Sequence, residues 1–270
     1  MIWNNCTGMV ILKMNKRNVK KILFIVEGQI DEPNYIDQVQ SILFPDYKIK
    51  YFVYNTSIHD LIEQVFEGDQ IDEAIDIRRA LRTKETDPER REILKEKFTD
   101  IFMIFDMEPH YQKQYFSAIQ KMLEFYSDSE KKGKLFINYP MMQSIKHISK
   151  MPDLDFKDRK VTLEQIQHYK ELVGKQSDYT DIRSYTYEVL LSICAHHLMK
   201  VNYILNGLYA LPEVEEFLKT DYVSLFKLEV DNWMQEQRVD VLNTSALWAL
   251  EYQPELYLRC MKQHRDTFCF

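Results

Sequence analysis

Three carboxylates stand where a parallel α/β sheet would turn them toward a ligand. Glu27 follows the apolar run KILFIV at residues 21–26 and precedes Gly28. Asp106 follows DIFMIF at residues 100–105, Glu108 lies two residues further on, and Pro109 breaks the run. In open parallel sheets, ligands bind outside the carboxyl ends of the strands. If the two runs are neighbouring strands, the three acids converge on one edge. Negative charge so concentrated is costly unless a cation neutralises it, and hard oxygen ligands suit Mg²⁺ or Mn²⁺. Taken alone, an acid after a strand is more often a helix cap or a solvated loop residue. Two such positions together leave both readings open.

The elements that would position these acids are legible from residue 20 to about residue 150. After the first apolar run, Tyr35, Ile36, Val39, Ile42 and Leu43 recur at helical spacing over residues 33–43. Residues 49–54 form a second strand pattern. Ser57 reads as the cap of a helix carrying Leu61, Ile62, Val65 and Phe66 and stopped by Gly68. Residues 69–98 are dense in mixed charge and interrupted by Pro88, which predicts a solvated helical insertion. Residues 100–105 give the third strand, 113–126 a helix, and KLFIN at 134–138 the fourth strand. Strands joined by helices predict βαβ units and an α/β fold with a mainly parallel sheet flanked by helices.

Beyond Pro152 the pattern changes. Residues 163–175, 179–205, 213–237 and a last segment from Ala246 carry helical periodicity and no convincing strand, and Asn206-Gly207 supplies a helix stop. The predicted organisation is an extension at 1–19, an α/β domain at 20–155 and an all-helical domain at 156–270. His196 and His197 are adjacent, so on a helix they point roughly 100° apart. With no nearby acidic or cysteine partner, they are not read as a metal pair.

Composition bounds the function. The chain of 270 residues has a formal net charge of −7, which argues against broad adsorption to nucleic acid but leaves a local basic groove open. Only six glycines are present and no GxxxxGK[ST] occurs, so a P-loop NTPase or a kinase is unsupported. A receiver domain would carry paired acids after its first strand, whereas here a lone Glu27 is followed by Gly28. The four cysteines, Cys6, Cys194, Cys260 and Cys269, form no CxxC pair, which predicts a reducing, cytoplasmic setting. The apolar runs are too short to span a bilayer.

The segments FIVEGQIDEPNYI (24–36) and MIFDMEPH (103–110) resemble the two signatures of the Toprim fold, a strand-end glutamate and a later strand-end Asp-x-Asp. Glu27 matches the glutamate and Asp106 the first aspartate; Glu108 replaces the second, keeping the charge but reaching one methylene further. The Toprim fold is shared by topoisomerases, bacterial primases and overcoming-lysogenization-defect (OLD) nucleases; more narrowly, E-G-x-x-[T/D]-E-P-x-Y is similar to RloB-like and related stand-alone Toprim proteins of bacterial antiphage systems. NYPMMQSIKH (138–147) is similar to their Asn-x-Pro strand end, except that Gln143 stands where such relatives often carry a glutamate. The resemblance covers residues 20–150.

It implies a metal-dependent nuclease, with Asp106 and Glu108 holding Mg²⁺ (or Mn²⁺) and Glu27 acting as a further ligand or as general base. By analogy with OLD nucleases, Asp31 or Glu32 would complete a second metal position; the alternative is that both acids complement the helix dipole. Lys113, Lys146 and His147 follow the site strands and are candidate phosphate contacts, and His110 could face the same cleft. The resemblance also implies a nucleic-acid substrate (DNA, RNA or tRNA), a companion ATPase, and a role as effector of an antiviral defence system. A homodimer is a further expectation. The alternative from another class is a non-catalytic interaction protein on a Toprim scaffold, motivated by Gln143 and Glu108.

Overall fold

The computed structural model describes residues 20–68, 70–71, 75–107 and 114–265. Its centre is Lys21–Val26 (β1), in which Ile22 through Val26 are wholly buried. A strand covered on both faces is apolar without alternation, which is why this run stands out in the sequence. Next come Asp31–Leu43 (α1), Lys48–Val53 (β2), Ile58–Val65 (α2), and the two-residue strands Phe66–Glu67 (β3) and Gln70–Ile71 (β4). Ile77–Lys84 (α3), Pro88–Lys95 (α4), Asp100–Asp106 (β5), Gln114–Phe125 (α5), Ser127–Asp128 (β6) and Gly133–Tyr139 (β7) complete the first half. The sheet runs β2-β1-β5-β7 with every one of these pairs parallel. The α/β architecture with a mainly parallel sheet flanked by helices is therefore the one found.

Two short 3-10 turns, Met142–Lys146 and Leu154–Asp158, lead into Lys160–Thr162 (β8), Leu163–Gln167 (α6) and Tyr169–Gln176 (α7). The long helix Tyr187–Asn206 (α8) is followed by Val214–Phe217 (α9), Tyr222–Glu236 (α10), Arg238–Asp240 (β9), Leu242–Asn243 (β10), Trp248–Tyr252 (α11) and Pro254–Arg265 (α12). The half read as purely helical thus contains strands, too short to show periodicity. β8 pairs with β9, and β10 joins the main sheet antiparallel to β7, with Leu242 opposite Tyr139 and Asn243 opposite Asn138.

That pairing also alters the predicted division near residue 155. Trp248 packs its ring 5.1 Å from Phe24 of β1 and 5.8 Å from Phe102 of β5. The Tyr35 hydroxyl on α1 donates to the Ala246 carbonyl at 3.2 Å. One contiguous hydrophobic cluster runs from Ile22 to Cys260, so the boundary does not separate two cores.

The charged segment 69–98 is likewise more than a solvated face. Ile77, Ala80, Leu81 and Leu94 are buried, with Asp76 and Asp87 capping α3 and α4. Arg90 lies over the Phe52 ring at 4.8 Å and donates to the Val53 carbonyl at 2.6 Å, tying α4 to β2. Helix α2 stops at Val65, and Gly68 instead serves the β3–β4 turn at φ 63°. Predicted residues 1–19 lie outside the described residues.

Helix α8 is capped by Thr186 and ends on Gly207 at φ 74°, as the Asn-Gly pair predicts. Its stretch 190–202 is buried on all faces, where it packs against α1, α10, α12 and β10. Its histidines act as acceptors: His196 Nε2 takes the Asp153 N–H at 2.9 Å, and His197 Nδ1 takes the Asn243 N–H at 3.0 Å. Burial holds both imidazoles below their ordinary range, in keeping with neutral rings. Among the described residues, no helix is long and apolar enough to cross a membrane.

A buried polar group secures the base of α8. Lys200, fully buried, donates to the Phe156 and Arg159 carbonyls and pairs with Asp240 at 2.9 Å. Glu229, also fully buried, accepts the Asp240 N–H at 3.1 Å. Burial, reinforced by the Asp240 carboxylate, pushes the Glu229 carboxyl well above its ordinary value of 4.5.

Two outcomes follow from this packing. Trp248→Ala, measured by denaturant unfolding, should destabilise the chain by about 3–5 kcal/mol in a single transition, since the ring seals β1 and β5. The folded chain holds the Glu229 proton more tightly than the unfolded chain does. Its contribution to stability is therefore complete below pH 4.5 and lost as pH rises through the folded value. Glu229→Gln should raise stability at pH 8, with the gain vanishing toward pH 4.5 in the same unfolding assay.

Candidate active site

Glu27 is held by its backbone on both sides. Its N–H donates to the Ile104 carbonyl of β5 at 3.3 Å, and its carbonyl accepts the Asn55 N–H, just past β2, at 3.1 Å. The parallel register sets Val26 opposite Ile104, so Glu27, one residue past β1, and Asp106, the last residue of β5, reach the same edge. The Glu27 side chain then turns toward β5, where the Asp106 N–H donates to its Oε2 at 3.2 Å. Asp106 in turn sits opposite Asn138 of β7, whose carbonyl accepts the Met107 N–H at 3.0 Å. Asn138 is fully buried and takes the Ser245 N–H on its Oδ1 at 3.2 Å. The two carboxylates predicted from the strand ends are thus neighbours on the carboxyl edge of the sheet.

The turn between β1 and α1 depends on Gly28. Glu32 reaches back so that its Oε1 accepts the Gly28 N–H at 2.9 Å, and a Cβ on residue 28 would lie 2.7 Å from Glu32 Oε2. Only glycine allows so close an approach. Glu32 is 4% exposed, and burial lifts its carboxyl above the ordinary range.

Asp31, at the first position of α1, faces the turn after β7. Lys146 Nζ is 2.7 Å from its Oδ1, and Gln143 Nε2 donates to its Oδ2 at 2.7 Å. Burial alone would raise the Asp31 carboxyl; the Lys146 and Gln143 hydrogen bonds outweigh it and hold the group below its ordinary value. Both acids also lie in the first turn of α1, where negative charge complements the helix dipole.

His147 departs from its predicted role. It is 1% exposed, with Nδ1 at 3.0 Å from the Tyr169 hydroxyl and Nε2 at 2.8 Å from Gln176 Oε1. Burial brings its imidazole down to about 4, in keeping with a neutral ring packed between Tyr169 and Gln176. It follows Lys146 directly, and the short turn sends the two side chains in different directions, which spacing could not reveal. Glu108, His110 and Lys113 lie outside the described residues.

Sequence reasoning missed Tyr169, whose buried hydroxyl is raised by desolvation, with the Asp106 charge adding to the rise. It also missed Lys170, whose charge reaches both Asp31 and Glu32. Neither residue carries a motif; both come to the site through α7. An open cleft of about 480 Å³ adjoins Glu27, lined by Gly28, Gln29, Asn55, Thr56, Ser57 and Asp60. Asn55, at φ 63°, shapes its wall and accepts from Gln29 Nε2 at 2.7 Å.

Among the described residues, no group of three or more His, Cys, Asp or Glu is arranged to hold a metal ion. Glu27 and Asp106 still offer two adjacent hard-oxygen donors, and Mg²⁺ commonly takes one or two carboxylates and keeps water in its other positions. That donor set fits one divalent ion. The predicted second position does not fit: Asp31 has both oxygens engaged, and Glu32 is buried against Gly28.

Fold and site together define an α/β protein with a pair of carboxylates at the carboxyl edge of a mainly parallel sheet. Comparison with known proteins carries the identification no further: no family model, no curated protein and no solved structure matches the chain.

The Gly28–Glu32 approach makes a measurable coupling. Gly28→Ala should cost about 1–2 kcal/mol in denaturant unfolding, because Glu32 is buried and must give up its bond to the turn. In a Glu32→Ala background, the same substitution should cost much less.

Proposed function

We propose that this chain is a Mg²⁺-dependent nuclease of the Toprim kind, cleaving phosphodiester bonds of DNA or RNA, tRNA included. The observation that carries the reading is the bond from the Asp106 N–H to Glu27 Oε2, which brings the Glu27 carboxylate to the acidic residue that ends β5. Glu27 and Asp106 are the residues that would hold the ion, with Glu108 as the third ligand implied by the motif. When bound, the ion would polarise a phosphate oxygen and neutralise charge developing on it. Lys146 has three donors, of which Asp31 takes one, so its ammonium can also meet a phosphate oxygen. The cleft beside Glu27 offers polar walls to the adjoining nucleotide. A cytoplasmic effector of antiviral defence, held in check by a companion ATPase, is the biological setting that the motif resemblance supports.

A second reading is a non-catalytic scaffold. The engagement of Asp31 by Lys146 and Gln143 favours it, since a carboxylate so occupied is spent on structure.

Purified protein incubated with plasmid DNA, single-stranded DNA and total tRNA, with and without Mg²⁺ or Mn²⁺, separates the two. Metal-dependent cleavage is expected, and Asp106→Ala or Glu27→Ala should reduce it by roughly 10²–10³-fold, the scale of losing one preorganised electrostatic contact. Cleavage retained in both variants would overturn the site assignment.

A further inference from the structure

A site that used two divalent ions would need a second set of oxygen ligands on the same sheet edge as Glu27 and Asp106. Asp31 is the carboxylate placed to begin that set, at the start of the helix that follows β1. Its surroundings are already complete. One oxygen meets the Lys146 ammonium at 2.7 Å and the other accepts from the Gln143 amide at 2.7 Å.

The pair is not a loose surface contact. The side chains of Asp31 and Lys146 are 18% and 16% exposed, and Gln143 is 8% exposed. Both donors come from the single turn Met142–Lys146, which is pinned at its two ends. Asn243 Nδ2 donates to the Met142 carbonyl at 3.1 Å, and the Ser177 hydroxyl donates to the carbonyls of Lys146 and Ile148. Met142 and Ile145 anchor the turn in the core. The donors are therefore held at Asp31 by packing elsewhere, independently of any ion.

The charges also balance without a metal. Gln143 offers a neutral amide, and the hydrogen-bonded Lys146 places a full positive charge against the carboxylate. A divalent ion arriving at Asp31 would have to displace an ammonium and would meet its repulsion.

We propose that Lys146 is the built-in cation of this site, standing at Asp31 in place of a second divalent ion, with Gln143 closing the other carboxylate oxygen. The inference rests on the reading of Glu27 and Asp106 as the ligands of a first ion. It makes Lys146 a resident source of positive charge beside the reacting phosphate, and it makes the chain a one-ion enzyme.

Calorimetric Mn²⁺ titration of the full chain, with free Mn²⁺ followed by electron paramagnetic resonance, decides it without recourse to activity. The natural chain should take one Mn²⁺, lost in Asp106→Asn and kept in Asp31→Asn. Lys146→Met combined with Gln143→Glu should take one Mn²⁺ more than the natural chain, and adding Asp31→Asn to that variant should remove the extra ion. A Mn²⁺ lost from the otherwise natural chain by Asp31→Asn would overturn the proposal. So would a combined variant that melts as a folded protein and gains no ion. A natural chain that takes no Mn²⁺, beside a combined variant that gains one, would uphold the Lys146 assignment and bring down the nuclease reading instead.

Discussion

The parallel register of β1 against β5 decides where Glu27 and Asp106 meet, and the rest of the molecule serves to keep that register. β1 lies between β2 and β5, hydrogen-bonded along both edges with Ile22 through Val26 buried. Because Val26 is opposite Ile104, Glu27 just past β1 and Asp106 at the end of β5 arrive at the same edge, and the Glu27 carboxylate can reach the Asp106 N–H. The backbone bonds from Glu27 to Ile104 and from Asn55 to Glu27 extend the ladder one step past the strand. This edge is thus a continuation of the sheet.

The second half of the chain supplies what four parallel strands cannot provide alone, an aromatic cover over β1 and β5 and a partner for the β7 edge. Trp248 closes the aromatic layer of Phe24, Phe44 and Phe102, while β10 pairs with β7 beside Asn138. Asn138 links the two contributions. It pairs with Asp106 in the ladder, and its side chain holds Ser245 in the returning segment. The helices after residue 156 are therefore part of the support of the site.

The acids around the site are managed in three different ways. Glu27 accepts the Asp106 N–H at the sheet edge, Glu32 is buried to close a glycine turn, and Asp31 is neutralised by Lys146. The carboxyl groups of Glu32 and Asp31 are shifted in opposite directions, up by burial in the first and down by cationic and amide partners in the second. Adjacent residues of one type at the start of one helix thus do unlike work, because their side chains leave the helix toward different neighbours.

The sequence by itself determined the four long strands, the helices between them, the stop at Gly207 and the two strand-end acids. Each is written in local terms, as an unbroken apolar run, a helical period or a turn residue. The described structure bears out the strands and their parallel pairing, which brings Glu27 and the end of β5 to one edge, while Glu108 lies outside the described residues. Only the tertiary structure decided that His147 is buried against Tyr169 and Gln176, that segment 77–95 packs on β2, and that the C-terminal half shares the core. It alone also decided that Asp31 is occupied by Lys146 and Gln143, more than a hundred residues away. Strand β10 has two residues and so no period to detect. A carboxylate's partner, being distant in the chain, leaves no mark on the residues beside it: periodicity records which face of an element is buried, whereas the chemistry of a site is set by which faces meet.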